Sequence, residues 1–299
     1  MSVSRPVRKA VIPAAGLGTR HFPASHAVMK ELFPVVGSDG ISRALIHYHL
    51  IELAAAGIEE ICVIVQPGDD VTIRRYFEGP GDAYLKRLAK YPQLLAEAAQ
   101  MKAWVGRLQF REQKTQEGFG HAVFQTRDFA AGEPVLLCLG DHLFRGAPDS
   151  PHVALVRAAA QGGGKTVSAV NRIAPAELRG YGTIAGRRRP AMPELIDVDL
   201  IIEKPDVATA RARLRVDGLG EDEFLGWFGM HVLAPSIYDV LARMIRDDVR
   251  DGGEFQLTRA QELQRQAEGY LALEIKNGRR FDFGVPDDFV RAVQEFRQA

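Results

Sequence analysis

The run Ala14-Ala15-Gly16-Leu17-Gly18-Thr19-Arg20, followed by Met29-Lys30-Glu31-Leu32-Phe33-Pro34-Val35, decides the reading of this chain. It stands directly after a short strand over residues 8–12, which stops at Pro13. Glycines at the end of a parallel strand let the backbone approach a ligand, and their N–H groups can line a phosphate or a base edge. Arg20 adds a planar donor fork suited to phosphate oxygens. Lys30 adds a compact charge that could neutralise a triphosphate. The pattern is not a P-loop, because no Gly-Lys-Ser/Thr follows the glycines. It is a poor dinucleotide fingerprint, because His21 stands at the third glycine position. That argues against a nicotinamide-dependent dehydrogenase. A tight turn without a ligand is the competing reading. The length of the loop, residues 16–40, and its two basic groups favour a ligand.

Outward from this loop, apolar strands alternate with amphipathic helices. Residues 41–56 place Leu45, Ile46, Leu50, Leu53 and Ala54 at helical spacing and stop at Gly57. Residues 58–65 form a continuous apolar strand. Gln66-Pro67-Gly68 then turns the chain, and Asp69 or Asp70 caps a helix running to Phe77. Residues 84–104 read as one amphipathic helix, with Leu85, Leu88, Leu94, Leu95 and Ala98 as its stripe. Strands at 108–111 and 135–139 flank a short helix at 118–126. This order predicts an α/β fold, with a parallel-type sheet covered on both faces. Further strands are expected at 166–170, 181–185, 199–203 and 226–233, and helices at 235–246, 257–268 and 286–298. Arg187-Arg188-Arg189-Pro190 reads as an exposed loop tip. No repeat, low-complexity tract or linker divides the chain, so one domain over residues 1–299 is expected.

Composition is that of a soluble globular protein: 299 residues, 46% apolar and 25% charged. Basic and acidic residues balance at 38 each, so no global field points to nucleic acid or to an acidic membrane. Cys62 and Cys138 lie in apolar runs and read as buried strand residues in a reducing compartment. The first nine residues lack the apolar core of a secretory signal, and no window is long enough to span a bilayer. The cytoplasm is the expected location.

Two further features bear on chemistry. Asp141 follows the buried strand 135–139, and the carboxyl ends of strands are where open α/β sheets bind ligands. Gln113 precedes Gly118-Phe119-Gly120-His121-Ala122, whose glycines open a short helix. Each taken alone also fits a turn, a cap or a helix start.

The run from Lys9 to Val36 resembles the signature of bacterial UTP–glucose-1-phosphate uridylyltransferases, and more broadly of sugar-phosphate nucleotidyltransferases. The likeness continues along nearly the whole chain. It implies a Rossmann-like α/β core with a central mixed, mainly parallel sheet flanked by helices. It implies dependence on Mg2+ and a homodimer or homotetramer. The nucleotide-binding half would span about residues 1–145 and the sugar-phosphate half about 146–299. On this resemblance, Ala14, Ala15, Gly16 and Gly18 cradle the nucleotide, Gln113 reads its pyrimidine edge, and Gly118 lets the base lie close. Arg20 and Lys30 meet the phosphates. Asp141 and Asp282 hold the metal. Gly182, after Tyr181, lets the sugar approach, while Glu203 and Lys204 of Glu203-Lys204-Pro205 bind its hydroxyls and phosphate. The implied reaction is uridylyl transfer from UTP to glucose 1-phosphate, with Arg20, Lys30 and Lys204 as the catalytic cations. The partners would be a nucleoside triphosphate and a sugar 1-phosphate, with no nucleic acid and no membrane. Glu254, Gln256, Leu257 and Thr258 match a helix-start motif read as structural.

The chain departs from that pattern at several positions. His26 replaces a common lysine, and Met29 a common proline. Asn171 replaces a glutamate, and Gly229-Met230-His231 replaces Gly-Arg-Tyr. Phe224 stands at an asparagine that contacts sugar. His142, where a small apolar residue is common, reads as a neighbour of the metal group or as simply exposed. These changes leave the nucleotide and metal set intact and bear on the choice of sugar. Another base, such as that of dTTP, another sugar, or a non-catalytic regulatory protein that binds nucleotide sugars are the alternatives.

Overall fold

Strand β1 (Lys9–Pro13) is buried on both faces, and Ala10, Val11 and Ile12 expose no surface. A strand with no wet face must lie inside a sheet covered on both sides. The computed structural model describes residues 5–298, so the start of the polar N-terminal stretch lies outside the described residues. The other strands are β2 (Pro34–Val36), β3 (Ser42–Ala44), β4 (Glu60–Val65), β5 (Leu108–Glu112), β6 (Val135–Cys138) and β7 (His142–Arg145). They are followed by β8 (Val167–Ile173), β9 (Thr183–Arg189), β10 (Met192–Ile202), β11 (Phe224–Leu233), β12 (Leu271–Glu274) and β13 (Arg279–Asp282).

Nine of these form one sheet in the order β5-β4-β1-β6-β11-β8-β12-β10-β9. The first four are parallel throughout. Strands β11 and β10 run against the other seven, which makes the sheet mixed but mainly parallel, as expected. It is continuous across both halves of the chain. Alternation along β1 divides the core: Ala10 and Ile12 pack with Ile46, Leu50 and Leu53 of the helix Leu45–Ala55. Val11 packs on the opposite face with Cys62, Ile64, Ile237 and Leu241. Both cysteines are buried and free.

Outside the main sheet, β7 pairs antiparallel with β13, with Asp282 opposite His142 and Arg280 opposite Phe144. This ribbon brings the end of the chain back to the segment after β6. A second ribbon, β2–β3, closes the long loop after β1.

Several local expectations needed correction. The loop at residues 16–40 holds short turns at Thr19–His21 and Lys30–Leu32, a helix at Ala24–Ala27, and strand β2. The helix expected from residue 41 starts at Leu45, because Ser42–Ala44 pairs with β2. The helix expected at 84–104 is two helices, Asp82–Leu88 and Pro92–Val105. Pro92 lacks the N–H that an interior position needs and therefore starts a new helix. Asp69 stands before the helix Asp70–Glu78, but its side chain makes no capping bond. Arg187, Arg188 and Arg189 are not a loop tip. They end β9, where Asp199, Glu274 and Asp197 respectively pair with them. Such cross-strand pairs let a basic run stay extended. The strands β7, β12 and β13 and the helix Pro151–Gln161 had no expectation.

Candidate active site

The site begins where β1 and β6 end. Ala14 N donates to Ile64 O at 2.7 Å, which extends the pairing with β4 by one residue before the chain leaves the sheet. Gly140, just past β6, lies so close to Pro13 O that a Cβ there would collide. The two strand ends are therefore held together, and their continuations, Ala15-Gly16 and Asp141, face one cleft. At Gly18 the backbone has φ +62°, in the left-handed region that glycine tolerates. The loop returns through Lys30, whose Nζ would lie 3.8 Å from a Cβ on Gly16. That Nζ donates to Asp141 Oδ2 at 2.6 Å.

Asp141 and Asp282 meet across the β7–β13 ribbon. Asp141 Oδ2 would be 2.5 Å from a Cβ on Gly284, and Asp282 Oδ1 would be 3.2 Å from it. Both carboxylates thus reach one point that only a glycine leaves open. Gly284 N donates to Asp282 Oδ1 at 2.7 Å. The His142 imidazole lies between the two acids, with Nδ1 2.8 Å from Asp141 Oδ1 and Nε2 3.4 Å from Asp282 Oδ2. Among the described residues no group of three or more His, Cys, Asp or Glu is arranged to hold a metal. A cation here would take two protein carboxylates and complete its shell from substrate oxygens and water.

The electrostatics follow from burial and these contacts. Burial opposes ionisation of Asp141, but His142 and Lys30 outweigh it and hold its carboxyl well below the usual range. Burial likewise opposes the charge on Lys30, yet Asp141 and Glu31 raise its pKa. His142 is raised in the same way: burial works against its charge and the two aspartates win. Glu31 goes the other direction. Burial pushes it to about 7, and Lys30, 3.5 Å from its Oε1, relieves only part of that.

The cleft above Asp141 has a volume of about 470 Å³, within the roughly 300–1,000 Å³ of small-molecule sites. Ala15, Gly16, Arg20, Lys30, Gln113, Gly118 and Asp141 all line it. Ala14 and Gly18 face a neighbouring hollow on the other side of the loop, which shares Gly16 and Lys30. Gln113 is buried, and its Nε2 donates to Gly118 O at 3.2 Å. Gly118 has φ +108°, and a Cβ there would come 2.8 Å from that of Glu254. Its role is therefore also one of packing.

Gly182, Glu203 and Lys204 form a separate wall. Lys204 N donates to Tyr181 O at 3.2 Å, and Lys204 itself has φ +46°, a costly conformation for a side-chain-bearing residue. The Lys204 ammonium lies 4.0 Å from Glu203 Oε1. Thr258 Oγ1 donates to Glu203 Oε2 at 2.7 Å. A Cβ on Gly182 would collide with the Trp227 indole.

Comparison with known proteins places this geometry. A nucleotidyl transferase family model matches residues 9–299. The chain belongs to the nucleotidyl transferase family. Two relatives from Staphylococcus saprophyticus, named UTP–glucose-1-phosphate uridylyltransferases 1 and 2, are 30% and 31% identical to it. The alignments cover 97% and 98% of this chain and 92% of each relative. A UTP-bound UDP-glucose pyrophosphorylase structure from Acinetobacter baumannii superimposes with a TM-score of 0.78 at 25% identity, covering 97% of this chain and 93% of that one.

Within this nucleotidyl transferase, three readings from sequence change. His142 is not exposed: it is buried between the two aspartates because β7 turns it toward β13. Phe224 does not face the wall formed by Gly182, Glu203 and Lys204. It is wholly buried with Ile173, Leu178 and Leu214, and Trp227 of the same strand stands at Gly182 instead. Thr258 does more than start a helix, since its hydroxyl holds Glu203.

Two residues went unnoticed. Gln116 Nε2 donates to Ala15 O at 3.2 Å and ties the cleft's far side to the glycine loop. Arg280 stacks over Tyr181, with Cζ 3.9 Å from the ring centroid, and donates to Trp227 O at 3.1 Å. It makes no carboxylate pair among the described residues. Its position two residues before Asp282 in a strand was the available signal, since alternate residues share a face.

Proposed function

We propose that this chain transfers the uridylyl group of UTP to glucose 1-phosphate, giving UDP-glucose and pyrophosphate. The observation that carries the reading is the convergence of the glycine loop, Gln113, Lys30 and Asp141 on one cleft. The names of the relatives agree with it. In this reading Gln113 meets the uracil edge, and the backbone at Ala15 and Gly16 supports the nucleotide. Glu203 accepts from sugar hydroxyls across the gap at Gly182, and Lys204 meets the sugar phosphate.

A phosphate oxygen of the sugar 1-phosphate attacks the α-phosphorus in line. A new P–O bond forms, the bond to the bridging oxygen breaks, and pyrophosphate leaves with that electron pair. The nucleophile is already an anion, so no protein base is required. The protein's task is to hold two anions together and to neutralise them by positioning and electrostatics. Arg20 and Lys30 serve the triphosphate. Asp141 and Asp282 would hold Mg2+, which suits two hard carboxylates and would supply further neutralisation of the phosphates. Asp141 has a second duty, which is to aim the Lys30 ammonium. A homodimer or homotetramer completes the proposal, and sedimentation analysis reads it directly.

The test is pyrophosphate release from purified protein with Mg2+, over four nucleoside triphosphates and several sugar 1-phosphates. Release with UTP and glucose 1-phosphate above all other pairs is expected. Faster release with dTTP or another sugar would replace the substrate pair and keep the chemistry. Nucleotide binding without release from any pair would overturn the enzymatic reading.

A further inference from the structure

Lys30 is aimed by Asp141, but Arg20, another basic group lining the cleft, makes no ion pair among the described residues. Its neighbour is the anchored residue. Arg20 and His21 share the turn Thr19–His21, which His21 N closes on Gly18 O at 2.8 Å. The His21 imidazole then reaches a segment 262 positions away, with Nε2 2.9 Å from Phe283 O. A carbonyl oxygen only accepts, so Nε2 carries a proton and donates. The ring stands edge-on to Phe33, with centroids 5.2 Å apart, and to Phe289, at 5.7 Å. Edge-on packing of this kind is favourable, and two such neighbours fix the plane of the ring.

The far end of this contact is the segment that carries the second carboxylate. Phe283 follows Asp282, and its N–H donates to Asp141 O at 2.8 Å. The Phe283 peptide is thus held on one side by Asp141 and on the other by His21. His21 lines neither the cleft nor the hollow beside it, so it acts through these partners and not on substrate.

We propose that His21 is a positioning residue, which ties the turn bearing Arg20 to Phe283 and so sets Arg20 against Asp141 and Asp282. This inference rests on the functional reading above. Holding charged groups in register before substrate arrives is what the proposed chemistry asks of the protein. Losing a group that orients metal-binding residues from behind typically costs roughly 10–100-fold in metal affinity or activity.

The test compares wild-type protein with His21→Phe and His21→Gln. The first keeps an aromatic ring between Phe33 and Phe289 and loses the donor. The second restores an N–H at about the reach of Nε2. In His21→Phe, kcat with UTP and glucose 1-phosphate should fall about tenfold. The KM for glucose 1-phosphate should hold, because His21 does not touch Gly182, Glu203 or Lys204. Mn2+ affinity in the presence of UTP, read by electron paramagnetic resonance, should weaken about tenfold. His21→Gln should recover most of both losses. Wild-type kcat and Mn2+ affinity in His21→Phe, or equal losses in the two variants, overturns the proposal. The wild type supplies a readout that needs no variant: NMR of nitrogen-labelled histidine should find a proton on His21 Nε2, and a ring protonated on Nδ1 alone overturns the proposal too. A wild type that releases no pyrophosphate from any pair overturns the functional reading instead, and the Mn2+ comparison and the ring tautomer then decide the role of His21.

Discussion

Lys30 Nζ donates to Asp141 Oδ2 at 2.6 Å, joining two residues 111 positions apart in the chain. The pair is mostly buried, with 15% and 17% of the two side chains exposed. It ties the basic arm of the glycine loop to the carboxylate at the end of β6. Any phosphate entering the cleft meets a lysine already oriented by its partner.

Replacing Lys30 with alanine should therefore cost on the order of 10²–10³ in turnover, by analogy with the loss of one preorganised donor. Circular dichroism should show the fold retained. Near-normal pyrophosphate release from a folded Lys30→Ala protein would remove Lys30 from the proposed machinery.

Asp141→Asn keeps the side chain's shape and removes its charge. The proposed metal role predicts that more Mg2+ will be needed for half-maximal activity. A Mn2+ binding titration in the presence of UTP should shift the same way. If both curves overlay those of the wild type, Asp141 is not a metal ligand.

Acid should unfold this protein early. Burial lowers His47 and His49 to about 4, and His152 and His231 to about 3. In the unfolded chain each titrates near 6.5. Below that pH the unfolded state binds more protons, so stability is present above 6.5 and is lost as pH falls toward 4. Each histidine accounts for about 3 kcal/mol by pH 4, against a total stability of about 5–15 kcal/mol for a typical domain. Urea midpoints measured from pH 7 to pH 4.5 should fall steeply. A flat profile would contradict the burial of these rings as neutral groups.

Glu31 acts with the opposite sign. Its pKa of about 7 exceeds the unfolded value of 4.5, so the folded state holds the proton more tightly between those limits. Stability on this account declines as pH rises from 4.5 to 7, by about 3 kcal/mol. His142, also raised, adds to the decline: its contribution is present below 6.5 and lost as pH passes its folded value. Glu31→Gln removes the Glu31 share. Relative to wild type, its stability should improve steadily between pH 4.5 and 8, and a constant difference would show that Glu31 is ionised throughout.

Arg280 should serve the sugar phosphate. Its guanidinium is stacked on Tyr181, stands two residues from Asp282, and has no carboxylate pair among the described residues. Arg280→Gln is expected to raise the KM for glucose 1-phosphate about tenfold, the cost of one charged hydrogen bond. Binding of UTP measured by calorimetry should not change. An unaltered KM would leave Arg280 as a brace for Tyr181 and Trp227.

Some of this arrangement was legible before any coordinates. The strand at 8–12 ends in the apolar run Ala10-Val11-Ile12, and the glycines follow closely after Pro13, so a backbone-lined site at a strand end could be read locally. Asp141 was legible for the same reason. Arg187–Arg189 was misread because a charged run looks like a loop until its partners, Asp197, Asp199 and Glu274, are placed beside it. Phe224 was misassigned because a strand's two faces differ completely, and a sequence match does not say which face meets the ligand.

The sequence by itself determined the α/β alternation, the position of the glycine loop, and the residue types available for phosphate and metal. These depend on periodicity and on the backbone freedom of single residues, which are local properties. Only the tertiary structure decided that His142 lies between Asp141 and Asp282, and that Trp227 meets Glu203 at Gly182. Those meetings depend on the β7–β13 register and on the order of strands in the sheet. Register is a relation between distant segments, set by the packing of the whole core, and no local pattern encodes it.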